Sequence, residues 1–68
     1  MPDHVYKALE LTGTSSKSSD DAIRSAIARA SKSVRNIKWF QVLETRGGIS
    51  AAKVAHWQVT IKVGFTLE

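Results

Sequence analysis

Three side chains in segments that read as β-strands are suited to hold a planar ligand with an anionic tail. Trp39 and Arg46 lie in the segment 37–46, and Gln58 lies in the segment 54–67. An indole offers a broad π-face to another planar ring. A glutamine amide can donate to and accept from the edge of a heteroaromatic ring, and a guanidinium suits a phosphate. These types predict a binding site rather than a catalytic one.

Each candidate also has a plainer interpretation. Trp39 could pack at a subunit interface, and Gln58 could be a solvated strand residue. A second basic group stands at the end of a predicted helix, at Arg29, Lys32 and Arg35. Cations there complement the helix dipole, and an anionic nucleotide tail is the functional alternative.

Other chemistry is poorly supported. The chain has no cysteine, which excludes disulfides and thiolate metal sites. His4 and His56 lack a third ligand at a sensible spacing, so we predict no metal site. Asp20 and Asp21 are explained by the start of a helix. A phosphate-binding loop and a Ser-His-Asp arrangement are both missing, so we predict no enzyme and no catalytic residue.

The elements that position these residues follow from periodicity. Apolar and polar residues alternate over 5–11, which predicts a strand, and a polar loop follows over 12–19. Ser18 with Asp21 resembles a capping box, and apolar residues at helical spacing predict a helix from Ser18 or Ser19 to 34–36. Strands are predicted over 37–46 and 54–67, with a turn at Gly47-Gly48. The chain is therefore expected to be one α+β domain over 1–68, with β-α-β-β order and an antiparallel hairpin at its end.

The hairpin register decides which residues share a face. In the last strand the odd positions are apolar, so we expect them to pack on the helix. A turn near Gly48 predicts Trp39 opposite Gln58 on the face away from the helix, because opposed residues share a face. The same register predicts four further pairs: Phe40 with Trp57, Gln41 with His56, Val42 with Ala55, and Leu43 with Val54. One helix cannot cover both faces, so Trp39 must meet water, a ligand or another subunit.

Chain length points to a strongly curved last strand, to self-association, or to both. A chain of 68 residues buries little of its surface. Its last predicted strand would extend about 45 Å at ~3.3 Å per residue, whereas a compact globule of this length is less than about 30 Å wide.

No apolar run nears the ~18 residues of a membrane span, and the lack of cysteine fits a cytoplasmic protein. The formal net charge of +4 is modest for a nucleic-acid-binding protein.

Taken together, several segments resemble the dodecins, small flavin-binding β-α-β-β proteins. The resemblance covers nearly the whole chain in order, and its specificity comes from the combination. The matching segments are Val5-Tyr6-Lys7, 10–15, 26–30, Trp39-Phe40-Gln41-Val42, Arg46-Gly47, Trp57-Gln58-Val59, Val63-Gly64-Phe65 and Leu67-Glu68.

The resemblance implies a hollow homododecamer in which each three-stranded antiparallel sheet wraps partly around its own helix. It implies paired flavins at two-fold axes, stacked on Trp39 and hydrogen-bonded by Gln58, with Arg46 as the basic residue near the hairpin. The expected ligand is flavin mononucleotide (FMN) or riboflavin, held for storage, buffering and photoprotection. Coenzyme A is a further implied ligand, with Arg29, Lys32 and Arg35 as candidates. Some bacterial members carry Arg where this chain has Thr66, which puts a phosphate contact there in doubt.

Two other functions stay open at this point. A small basic α/β domain with aromatic residues on its sheet could stack nucleic-acid bases. A structural oligomer without any ligand would also explain the small size.

Overall fold

Three strands and one helix account for most of the chain. A computed structural model describes residues 3–67, with the elements β1 (Tyr6–Ser15), α1 (Ser19–Ala30), β2 (Ile37–Ser50) and β3 (Lys53–Thr66). β3 lies in the centre of one sheet of order β1-β3-β2, and it pairs antiparallel with both neighbours. The predicted α+β class and β-α-β-β order are confirmed. Met1, Pro2 and Glu68 lie outside the described residues, so the last residue of the resembling segments is not placed.

The start of the helix is where the capping residues predicted it. Ser18 is the N-cap, and its side chain accepts a hydrogen bond from the Asp21 amide at 3.0 Å. In a full capping box the Asp21 carboxylate would accept a hydrogen bond from the Ser18 amide. Here it accepts one from the Ser15 hydroxyl instead, at 2.7 Å. Ser15 therefore connects the end of β1 to the first turn of the helix.

The helix is shorter than the sequence predicted. It ends at Ala30 with Ser31 as C-cap, and tight turns follow, including a Ser33 amide bond to the Ala30 carbonyl at 3.0 Å. Serines compete for backbone hydrogen bonds and so favour turns over helix interiors. Asn36, at φ 63°, then turns the chain toward β2, in a conformation that asparagine tolerates.

β1 is longer than predicted, because residues 12–15 continue the strand instead of forming a loop. Thr12 lies opposite Thr60, and their hydroxyl oxygens are 2.8 Å apart. Gly13 faces the helix, where an added Cβ would overlap the Ala22 carbonyl oxygen and come within 2.9 Å of the Ala26 Cβ. The glycine that indicated a loop is instead the residue that lets the helix approach the sheet.

The core lies between the helix and the two strands that it covers. Its buried members are Ala22, Ala26, Val59, Ile61 and Val63. The expectation that odd positions of the last strand pack on the helix is confirmed for Val59, Ile61 and Val63, whereas Ala55 and Leu67 are exposed. The small alanines of the helix stripe allow this close packing.

Apart from Ile37, which packs against the core, β2 has little cover from the helix. Phe40 and Val42 point to the helix side of the sheet, since they lie opposite Val63 and Ile61, yet they are 48% and 42% exposed. The molecule measures 54 × 20 × 14 Å, and its radius of gyration is 14.1 Å, against about 11 Å for a compact chain of this length. The expectation that the hairpin outruns the globule is therefore correct.

The predicted hairpin turn and register are wrong. The two-residue loop is Ala51-Ala52, with φ of 52° and 63°, between Ser50 and Lys53. Gly47 and Gly48 lie within β2 instead, because the facing His56 needs the space. A Cβ on Gly47 would come within 2.7 Å of the His56 carbonyl oxygen, and one on Gly48 would overlap the imidazole.

Because the turn is at Ala51-Ala52, each of these β2 residues pairs with a β3 residue farther along the chain than predicted. The observed pairs are Trp39 with Gly64, Phe40 with Val63, Gln41 with Lys62, and Val42 with Ile61. Leu43 has no partner, because it is the extra residue of a bulge between Val42 and Glu44. The five pairs predicted from a turn at Gly48 are therefore not formed.

Candidate functional site

Trp39 lies on the face of the sheet away from the helix, as predicted. Its indole rests over Gly64, where an added Cβ would overlap the ring. The Tyr6 ring meets it edge-on, at 6.1 Å between centroids and 63° between planes. The indole therefore has support from two strands, while Trp39 keeps 39% of its surface exposed.

Gln58 and Arg46 form a second group on the same face. They lie directly opposite each other on β3 and β2. Gln58 is half-buried, whereas the Arg46 side chain is 60% exposed. The Arg46 Nη2 atom is 3.3 Å from the Glu44 Oε1 atom. This group combines an amide, a guanidinium and a carboxylate within two neighbouring strands.

The bulge at Leu43 is what brings Arg46 to this face. Trp39 and Arg46 are an odd number of residues apart, so a regular strand would direct them to opposite faces. One extra residue reverses the alternation and re-aims the side chains that follow. The adjacent apolar residues Val42 and Leu43 break the alternation in the sequence, and this was the available signal for the bulge.

The predicted contact of Trp39 with Gln58 is absent from the single chain. The partner of Trp39 is Gly64, six residues from Gln58 along β3, which corresponds to about 20 Å at ~3.3 Å per residue. The prediction that Trp39 and Gln58 lie on one face is correct, but the two residues lie at different positions along the sheet. A ligand that contacts both must draw them from two copies of the chain.

Sequence reasoning missed three residues of this face. Glu44 pairs with Arg46, Gly64 makes room for the indole, and Tyr6 packs beside the indole. Gly64 and Tyr6 stood within the resembling segments, but only the observed register places them beside Trp39.

The second basic group lies elsewhere. Arg29 is in the last turn of the helix, Lys32 in the following turn and Arg35 in the link to β2, and all three are exposed. Arg35 borders a groove of about 310 Å³ that is also lined by Phe65 and Leu67. Phe65 belongs to the helix side of the sheet, so this group does not join Trp39 within one chain.

The two histidines are also apart. His56 lies against Gly48 in the hairpin, and His4 lies near Tyr6, with ring centroids 6.2 Å apart. Within residues 3–67, no group of three or more His, Cys, Asp or Glu side chains is arranged to hold a metal ion. None of the helices in that range is long and apolar enough to span a membrane.

Comparison with known proteins gives one consistent result. The family model described as Dodecin matches residues 5–68. The dodecin of Thermus thermophilus is 50% identical over 64 residues, which cover 94% of this chain and 93% of the relative. The solved dodecin of Streptomyces coelicolor has a TM-score of 0.93 and 47% identity, over 100% of this chain and 97% of that one. The solved dodecin of Streptomyces davaonensis has a TM-score of 0.93 and 46% identity, over 98% of both chains. Fold, length and sequence agree, and the chain belongs to the dodecin family.

Proposed function

We propose that the protein binds and stores flavin without chemical turnover, as a homododecamer in the cytoplasm. Its ligand is FMN, with riboflavin as the unphosphorylated alternative. The isoalloxazine stacks on Trp39, Gln58 hydrogen-bonds the ring edge, and Arg46 holds the phosphate. Membership of a family that in general binds flavins supports this function.

The observation that carries the proposal is the presentation of Trp39. A large aromatic side chain ordinarily gains hydrophobic free energy by burial, yet Trp39 is 39% exposed. Here Gly64 leaves room for the indole against the sheet, and the Tyr6 ring packs beside it at a steep angle. A supported, partly exposed indole suits stacking by a planar ring. An electron-rich indole in contact with flavin also quenches the excited flavin by electron transfer, which is the basis of photoprotection.

The site requires more than one copy of the chain. Gln58 is about 20 Å from the partner position of Trp39, at ~3.3 Å per residue, so the indole of one copy and the amide of another would face one ligand. Pairing of copies around a two-fold axis would bring these groups together twice. This arrangement would place two flavins at each axis.

Uncovered apolar surface supports the assembly. Phe40 and Val42 are about half exposed on the helix side of β2, and Phe40 lines a groove of about 230 Å³ beside Ile23 and Ile27. Monomeric proteins rarely leave a contiguous apolar face open. Other copies of this small chain would cover it and supply the missing core.

A visible spectrum, a native mass and a flavin titration test the proposal. We expect flavin absorption or uptake, a mass of twelve chains and strong quenching of flavin fluorescence. Trp39→Ala should weaken binding by about 5- to 150-fold, because stacking on an aromatic side chain contributes about 1–3 kcal/mol. Trp57→Phe is the matched control, since Trp57 lies on the helix side. Full quenching by Trp39→Ala, or no flavin uptake by the unmodified protein, would refute the assignment.

The same titration separates the alternatives. A nucleic-acid-binding protein would bind oligonucleotides with an affinity that falls steeply with salt, and a structural oligomer would show the dodecameric mass without quenching. Coenzyme A is a separate candidate ligand, at Arg29, Lys32 and Arg35. Its binding should be lost on replacing Arg35 and should be unaffected by Trp39→Ala.

A further inference from the structure

Glu44 is in direct contact with the cation that is proposed to hold the ligand phosphate. Its Oε1 atom is 3.3 Å from the Arg46 Nη2 atom, and the two side chains are 55% and 60% exposed. An ion pair this exposed is weak and exchanges readily with solvent. A ligand anion can therefore replace the carboxylate on the guanidinium.

The fold holds the two charges on one face of one strand. Glu44 lies opposite Thr60, and Arg46 lies opposite Gln58. The bulge at Leu43 directs both toward the open face, where Trp39 also lies. Any phosphate that reaches Arg46 from this face meets the carboxylate of Glu44 as well.

We propose that Glu44 sets the preference of the site for phosphorylated over unphosphorylated flavin, by competing with the ligand phosphate for Arg46. This inference rests on the proposed flavin function. A phosphate monoester carries a charge of about −1.5 to −2 at pH 7, and it gains charge-assisted hydrogen bonds from a guanidinium. FMN must displace or share Glu44 to gain them. Riboflavin has no phosphate and leaves the pair intact, so Glu44 lowers the advantage of FMN selectively.

The measurement is the ratio of the dissociation constants for riboflavin and FMN, from fluorescence-quenching titrations of the assembled protein in about 0.1 M salt. Glu44→Gln should shift this ratio in favour of FMN by about 1.4- to fivefold, the range expected for an exposed ion pair. The shift should shrink at high salt, where exposed charges are screened. Arg46→Ala should shift the ratio the other way.

Glu10→Gln is the matched control. Glu10 lies on the same face but on β1, opposite Lys62. Within the chain it is about 16 Å from Arg46 by strand spacing, beyond the screening length of ~10 Å at 0.1 M salt. Glu10→Gln removes the same charge as Glu44→Gln and should leave the ratio of the two dissociation constants unchanged.

The double variant Glu44→Gln/Arg46→Ala decides the mechanism. Competition for Arg46 predicts that Glu44→Gln has little effect on the ratio once Arg46 is gone. An equal shift in both backgrounds would mean that Glu44 repels phosphate directly, and it would overturn the inference. An unchanged ratio in Glu44→Gln alone, or an equal shift by Glu10→Gln, would also overturn it. Failure of both flavins to bind the unmodified protein would instead refute the proposed function, and this inference with it.

Discussion

Gly64 should control flavin binding although it has no side chain. A Cβ at this position would overlap ring carbons of Trp39 and lie 2.6 Å from its Nε1 atom. The indole is rigid and packs beside the Tyr6 ring, at 6.1 Å between centroids. Gly64→Ala must therefore push the indole away from the sheet or deform the sheet beneath it.

The two responses have different magnitudes. If the sheet deforms, overpacking lowers the free energy of unfolding by about 1–3 kcal/mol. If the indole moves outward, stability changes little, but the stacking surface is lost. A stacked aromatic contributes about 1–3 kcal/mol, so flavin affinity should fall by about 5- to 150-fold. We expect the second response, because Trp39 is partly exposed and has free space on its outer side.

Flavin quenching titrations and thermal unfolding at one fixed protein concentration distinguish these responses. Gly13→Ala is the matched control, since it adds the same methyl group on the other face, against the Ala22 carbonyl oxygen. That variant should lower the melting temperature by several degrees, at about 4–8 °C per kcal/mol, and keep the flavin affinity of its folded fraction. Wild-type affinity and quenching in Gly64→Ala would refute the idea that the indole binds flavin from its position over Gly64.

Three further changes test the local structure. Ser18→Ala removes the helix N-cap and should lower the free energy of unfolding by about 1 kcal/mol in denaturant titrations; no change would mean that the Asp21 amide finds another acceptor. Ala52 has a positive φ of 63°, which glycine adopts without strain. Ala52→Gly should therefore raise the free energy of unfolding by about 0.5–1 kcal/mol, and a decrease would contradict the left-handed turn. Deletion of Leu43 removes the bulge and leaves Arg46 an even number of residues from Trp39, so Arg46 should stay opposite Gln58 on the open face and any preference for FMN over riboflavin should persist. Loss of the FMN preference in that variant, with riboflavin still quenched, would contradict this geometry.

Periodicity and capping chemistry were sufficient for the element order. Alternation in the last strand predicted its buried face, and the odd positions Val59, Ile61 and Val63 are indeed fully buried. Ser18 predicted the start of the helix, since its hydroxyl can satisfy a free amide of the first turn. These features depend on neighbours within a few residues, so the sequence contains them.

The positions of the site residues along the sheet depended on contacts between distant segments. Gly47-Gly48 indicated a turn by local preference, but His56 across the strand requires the glycines for close approach. Moving the turn to Ala51-Ala52 shifted the register by about six residues and separated Trp39 from Gln58. Local preference could not reveal this, because the cross-strand contact has no signature within either segment.

The sequence alone determined the kinds of side chain available for flavin, an indole, an amide and a guanidinium, and the face that carries the indole and the amide. The tertiary structure decided which of them are neighbours. A single bulge at Leu43 brought Arg46 to that face and placed Glu44 beside it, because one extra residue reverses the alternation of every side chain that follows. The length of the hairpin then kept Trp39 away from Gln58, so the proposed site is complete only between copies of the chain.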